Sequence, residues 1–161
     1  AINGICCGGG LEIALSCDVI LAATHATFAL PEIRSGTIAD AASIKLPKRI
    51  PYHIAMELLL TGRWLDAIEA HKWGFVNEII EPKSLLNRAY ELAELISSGP
   101  PLVTSAIKQV VREAEDKNFQ DMLNRITKRQ VETVDKLYGS KDLLEGQLAF
   151  TEKREPKWKG K

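Results

Sequence analysis

This sequence has no metal motif, no nucleotide fingerprint and no excess of one charge sign, and each absence removes a class of function. His25, His53 and His71 are scattered, with no HExxH pair, and Cys6, Cys7 and Cys17 lack the spacing of a zinc site, so no metal is expected. Neighbouring Cys6 and Cys7 cannot easily bridge each other. The three thiols read as small buried hydrophobes in a reducing compartment, which points to the cytoplasm. Neither GxGxxG nor GxxxxGK with Ser or Thr occurs, so the usual backbone cradles for a nucleotide phosphate are missing. Lys plus Arg and Asp plus Glu stand at 21 each, which argues against a nucleic-acid partner spread over the whole surface. No apolar run approaches the length of a bilayer span, and no charged-then-apolar stretch suggests a leader, so no membrane partner is expected. Aromatics make up only 6%; Trp64 and Trp73 lie beside turns with apolar neighbours and read as packing anchors. Ala1 stands without an initiator Met and Ile2 reads as mid-strand sequence. The expectation is that part of the protein lies upstream.

What is present is an ordinary globular composition, 45% apolar and 26% charged over 161 residues, enough for one domain or a large piece of a bigger one. The first third reads as α/β. Gly9–Ser16 is expected as a helix, Asp18–Ala22 and Thr27–Leu30 as strands, and Ile33–Ile38 as a loop. Asp40 is placed to cap a helix running through Lys48, and Pro51 to open another to Leu60. A short helix from Asp66 to Trp73 closes at Gly74, and Phe75–Ile80 is a strand. From Pro82 the pattern is helical, with Leu85, Ala89, Leu92 and Ile96 on one face. A helix bearing Val103, Ile107 and Val110 follows, then one marked by Phe119, Leu123, Ile126, Val134 and Leu137, then one over Asp142–Arg154.

The chemistry concentrates near the start. Gly8-Gly9-Gly10 closes an apolar strand and opens a helix, leaving N–H groups that the helix itself cannot satisfy. Such a helix start attracts developing negative charge. Glu12 follows one turn in, and Glu32 follows Pro31 twenty residues on. An anion site flanked by two carboxylates is the pattern of proton transfer beside an oxyanion, with Gly9, Glu12 and Glu32 as the catalytic candidates.

The segments Ala1-Ile2-Asn3-Gly4, Gly8 to Leu15, Cys17-Asp18, Phe28 to Glu32, Leu60-Thr61-Gly62, Ala70 to Val76 and Phe150 to Arg154 resemble the enoyl-CoA hydratase/isomerase (crotonase) superfamily. Within it, Leu46-Pro47 and the closing Glu152 to Gly160 are most similar to the carnitinyl-CoA dehydratases. The resemblance implies an α/β fold, a crotonase-like ββα spiral core of which residues 1–81 are the C-terminal part. Residues 82–161 would be a helical region that builds trimers or hexamers. It further implies an acyl-CoA thioester as substrate and no permanently bound cofactor. Gly9 matches one oxyanion-hole donor, with the other upstream of Ala1. Glu12 matches the residue that activates water, and Glu32 the one that exchanges a proton with the carbon beside the thioester. Phe150 and Lys153 match positions that touch coenzyme A, and Gly8, Pro31, Ile38 and Asp40 fall in the substrate pocket. Where the family carries a Pro and small glycines, this chain has Ala39-Asp40-Ala41-Ala42-Ser43, which adds methyl groups to the acyl pocket. The implied activity adds or removes water across an α,β-unsaturated acyl-CoA, with carnitinyl-CoA/crotonobetainyl-CoA as one acyl pair. Two alternatives stay open: an acyl-CoA double-bond isomerase in which Glu12 is structural, and a catalytically inactive scaffold.

Overall fold

The computed structural model describes residues 1–161, which form two compact units, Ala1–Leu92 and Ala93–Lys161. The first unit runs β1 (Ile5–Cys7), α1 (Gly9–Ala14), β2 (Leu21–Ala23), β3 (Thr27–Ala29), a 3-10 turn (Pro31–Ser35), α2 (Asp40–Arg49), α3 (Tyr52–Thr61), β4 (Leu65–Asp66), α4 (Ala67–Trp73) and β5 (Glu78–Ile80). One sheet has the order β1-β3-β4, with β1 parallel to β3 in the register Cys6 to Phe28, and β4 antiparallel. The other pairs β2 with β5 in parallel, and Ile2 bridges Ala22 beside it. Hence the chain leaves one sheet at Ile2 and enters the other at Ile5. His25 bonds the Asn3 carbonyl at that crossing, 2.9 Å. β2 is buried along its whole length, as its unbroken apolar run predicts for parallel strands covered on both faces.

Phe28 is fully buried and meets Phe75 edge to face, centroids 5.3 Å apart, at the centre of a core shared by Leu11, Leu15, Leu46, Leu58 and Val76. Cys6 belongs to that core, and burial pushes its thiol up, with Cys7 adding to the shift. Cys17 departs from the reading of all three thiols as buried: it is exposed just past the end of α1, its Sγ donating to the Ile13 carbonyl at 3.5 Å. The span expected as a loop is partly helical. Pro31 sets the backbone for a first turn, and Gly36, at φ 73°, ends the 3-10 turn in the left-handed region. Asp66 caps α4 by accepting the Glu69 N–H at 2.8 Å.

α5 (Leu85–Ser97) spans the boundary between the units. The second unit holds α6 (Pro101–Ala114), α7 (Phe119–Thr127), α8 (Glu132–Tyr138) and α9 (Lys141–Glu152), around Ala106, Met122, Val131 and Val134. The helix expected from Phe119 to Leu137 is two. Arg129 takes φ 57°, its N–H reaches the Ile126 carbonyl at 3.0 Å and the Gln130 N–H reaches Arg125 at 2.8 Å, which closes α7 before α8 begins. Its guanidinium lies over the Tyr138 ring at 3.9 Å, a cation–π contact compensating part of the strain. After α9 the chain turns back along the helix. Asp142, 3% exposed, accepts the N–H groups of Lys159 at 2.9 Å and Gly160 at 2.8 Å. Glu145 takes a two-point bond from Arg154 and another from the Lys157 N–H, and these hold its carboxyl at about 2. No helix is long and apolar enough to cross a membrane.

Candidate active site

Gly8 is the hinge between β1 and α1. Its N–H donates to the Ala29 carbonyl of the neighbouring strand at 3.0 Å, while its own carbonyl accepts from Leu11 at 2.9 Å and Glu12 at 3.1 Å. The residue stands at φ 54°, ψ −129°, a conformation that only glycine takes without strain. The intrahelical ladder begins with Leu11. The N–H groups of Gly9 and Gly10 come ahead of it at the positive end of the short helix. Gly9 is exposed.

Glu32 reaches this hinge from the other side. A Cβ added to Gly8 would stand 2.9 Å from Glu32 Oε1, so the carboxylate rests against the bare Cα. Its Oε2 is buried with no hydrogen-bond partner among the protein atoms. Leaving such an oxygen unpaired costs about 1–3 kcal/mol, a penalty tolerated where a ligand completes the bond. The 3-10 turn carrying Glu32 is pinned to the end of α3. Arg34 Nε donates to the Thr61 carbonyl at 2.9 Å, a cation at a helix C-terminus. Gly62, at φ 61°, has Ile33 Cγ2 2.9 Å from where its Cβ would be, so only glycine lets the turn approach this closely.

Glu12 is half-buried, and its Oε1 accepts the N–H of Ala42 at 3.0 Å, in the first turn of α2. The carboxylate thus serves as a cap supplied by a different helix, with the α2 dipole favouring its charge. This corrects the expectation for Asp40. Ala39 is the N-cap residue, Asp40 is the exposed first residue of α2, and its side chain makes no cap bond. The Glu12 carboxylate already occupies the place a local cap would fill. Glu12 thus bonds Gly8 through its backbone and α2 through its side chain, while Glu32 meets Gly8 with its carboxylate; Glu12 does not line the cavity beside Glu32.

A cavity of about 250 Å³ opens beside Glu32. Of the residues expected in the substrate pocket, Ile38 lines it, Gly8 abuts the carboxylate, and Pro31 starts the turn without lining the cavity. Asp40 is not part of its wall. Sequence reasoning missed Met56, Leu59 and Leu60, which form the α3 side of the cavity. Their i, i+3, i+4 spacing was the available signal, masked because Ala55 and Leu58 already supply the buried stripe of the same helix. Phe150 and Lys153 belong to the other unit. Phe150 is 88% exposed on α9, and Lys153 ends that helix at φ 52°.

The family model described as enoyl-CoA hydratase/isomerase matches residues 1–161. The chain is 40% identical over 161 residues to a carnitinyl-CoA dehydratase of Salmonella arizonae, covering 99% of this chain and 62% of that one. It is 39% identical to the carnitinyl-CoA dehydratase of Proteus mirabilis, covering 100% and 62% respectively. Among solved structures, an enoyl-CoA hydratase of Mycobacterium tuberculosis superposes with a TM-score of 0.88 at 39% identity, over 98% of this chain and 62% of that one. One from Bacillus anthracis gives 0.88 at 34%, over 98% and 60%. The chain thus spans about 62% of the length of the curated relatives it matches. A whole-length family match and the same fold at these identities lead to one conclusion: the chain belongs to the enoyl-CoA hydratase/isomerase family.

Proposed function

We propose that the protein carrying this chain adds or removes water across the double bond of an α,β-unsaturated acyl-CoA thioester. The observation that carries the reading is the arrangement of Glu12 and Glu32 around Gly8, with one carboxyl oxygen of Glu32 buried and unpaired. In the hydration direction, a water oxygen attacks the β carbon and passes a proton to Glu12. The π electrons move to the thioester oxygen as an enolate, which the Gly9 N–H stabilises at the helix start. Glu32 then gives a proton to the α carbon as the enolate collapses, and the proton on Glu12 returns to Glu32 through solvent. Dehydration is the reverse. Ala42 contributes by holding Glu12 in one orientation, so the water meets a fixed acceptor.

Coenzyme A enters as part of the substrate, with no permanent cofactor required. Phe150 and Lys153 are proposed to touch its adenine and phosphate region, where a cation has an electrostatic reason to be. Self-association as a trimer or hexamer and a cytoplasmic location complete the proposal. Relatives named for carnitinyl-CoA make that acyl group one candidate, alongside uncharged enoyl groups. An isomerase would need Glu32 alone. In the hydro-lyase reading the Ala42 bond holds Glu12 in place as the second carboxylate, whereas in the isomerase reading that bond, a cap on α2, is all that Glu12 supplies. Replacing Glu32 with Gln in the intact protein and following loss of the conjugated thioester absorbance tests the assignment. Turnover should drop about 10²–10⁴-fold, and an unchanged rate would overturn it.

A further inference from the structure

We propose that Arg34 is a positioning residue for Glu32: its grip on the end of α3 sets where the proton-transfer carboxylate stands. This rests on the role given to Glu32 above. Glu12 is held at its carboxylate by the Ala42 N–H, whereas Glu32 is carried on a five-residue 3-10 turn. Such turns are short and their hydrogen bonds are poorer than those of an α-helix, so their place depends on what grips them from outside. The Glu32 carbonyl accepts the Thr37 N–H at 3.1 Å and the Thr37 hydroxyl at 3.3 Å. These bonds close the turn on itself and leave its anchorage to a neighbour.

That neighbour is α3. The last carbonyls of a helix have no partner within it, and Arg34 Nε donates to the Thr61 carbonyl at 2.9 Å. Around this bond the two segments crowd together. A Cβ on Gly62 would stand 2.9 Å from Ile33 Cγ2, 3.4 Å from Arg34 Cγ and 3.4 Å from the Leu30 carbonyl oxygen. At three residues per turn, side chains two apart point about 120° from each other. Glu32 thus meets Gly8 while Arg34 meets α3, and the turn is held between them. The α3 end is itself braced. Thr61 Oγ1 donates to the Glu57 carbonyl at 2.7 Å, and Arg63 Nε to the Glu57 carboxylate at 2.6 Å. The same guanidinium makes a two-point bond to Glu69 of α4, at 2.9 and 2.6 Å. Contacts running from α4 through Arg63 and Thr61 therefore end at Arg34, two residues from the carboxylate. Arg34 is exposed, so its side chain can be changed without opening the core.

The test compares the intact protein with Arg34→Met and Arg34→Gln. Gln places an N–H donor at the same number of bonds from the backbone as Arg Nε, and Met places a methyl there. Each protein is assayed for hydration of a four-carbon enoyl-CoA and for α-carbon deuterium uptake by the saturated thioester, per folded molecule by circular dichroism. Arg34→Met should lower kcat and α-carbon exchange together by about tenfold, with KM within about twofold of the parent. Arg34→Gln should keep at least about a third of the parent rate in both. A role in folding alone would lower the folded fraction and leave kcat per folded molecule where it was. That result, a rise in KM with kcat unchanged, or equal losses in Gln and Met overturns the inference. The exchange assay separates it from the reading beneath it. If the parent exchanges the α hydrogen but hydrates no enoyl thioester, and Arg34→Met slows the exchange, the hydro-lyase reading falls and Arg34 keeps its role. If the parent hydrates and Arg34→Met matches it, the reverse holds.

Discussion

Substituting Gly8 with Ala perturbs the hinge against which the Glu32 carboxylate rests, and its two consequences differ in size. The backbone at φ 54°, ψ −129° disfavours any side chain, and holding a non-glycine residue there costs about 1–3 kcal/mol. The new methyl also meets Glu32 Oε1 at 2.9 Å, but that oxygen is the free end of a flexible side chain and can retreat. Stability should therefore fall by the backbone term alone, read as a lower urea midpoint with an unchanged slope. Activity should fall further. A carboxyl group displaced by about 1 Å from its working position loses about 10²-fold in rate. Gly10→Ala is the control. It has open space around its Cα and an ordinary backbone conformation inside the helix, so it should be neutral or stabilising by up to about 1 kcal/mol. Combining Gly8→Ala with Glu32→Asp removes the contact but not the strain, so the midpoint should stay low. Wild-type stability and wild-type turnover in Gly8→Ala would refute the reasoning.

Other expectations are independent of this one. Glu12→Ala should remove the cap of α2 as well as the proposed water acceptor, lowering stability by about 0.5–2 kcal/mol by urea unfolding and turnover by far more. Asp142→Ala leaves the N–H groups of Lys159 and Gly160 without their acceptor. Their amide hydrogen exchange should quicken by at least about tenfold, with a loss of about 1.5–3 kcal/mol in the helical unit. Glu145 is held at about 2 against an ordinary 4.5, mainly by Arg154, so its contribution is present above the unfolded value. It should fade as pH falls from about 4.5 towards 2. An acid titration of helical signal should therefore show Glu145→Gln losing less stability over that interval than the parent chain.

The alternation of glycine, apolar and acidic residues made the first third legible as α/β, and the resemblance carried by Gly8 to Leu15 and Phe28 to Glu32 led to the fold that the structural relatives share. Local rules worked where they were uncontested: Asp66 caps α4, Gly74 closes it and Pro51 precedes α3. They failed where a partner distant in sequence held the position. Asp40 has the chemistry of a cap and loses it to Glu12, which lies thirty positions before the Ala42 N–H it accepts. Arg129 breaks a helical period that the apolar spacing alone would continue, because the left-handed turn is set by bonds back to Arg125 and Ile126. The cavity wall of Met56, Leu59 and Leu60 was equally hidden. Apolar residues on a helix do not announce whether they face a core or a cavity.

The division of labour between the carboxylates is tested most directly by hydrogen exchange at the α carbon. A saturated acyl-CoA thioester is incubated in deuterated water with the intact protein, Glu12→Gln or Glu32→Gln, and α-deuterium is counted by mass spectrometry. Exchange should persist in Glu12→Gln, which has lost hydration, and drop by at least about 10²-fold in Glu32→Gln. Undiminished exchange in Glu32→Gln, or exchange lost equally from both variants, would contradict the assignment of separate roles around Gly8.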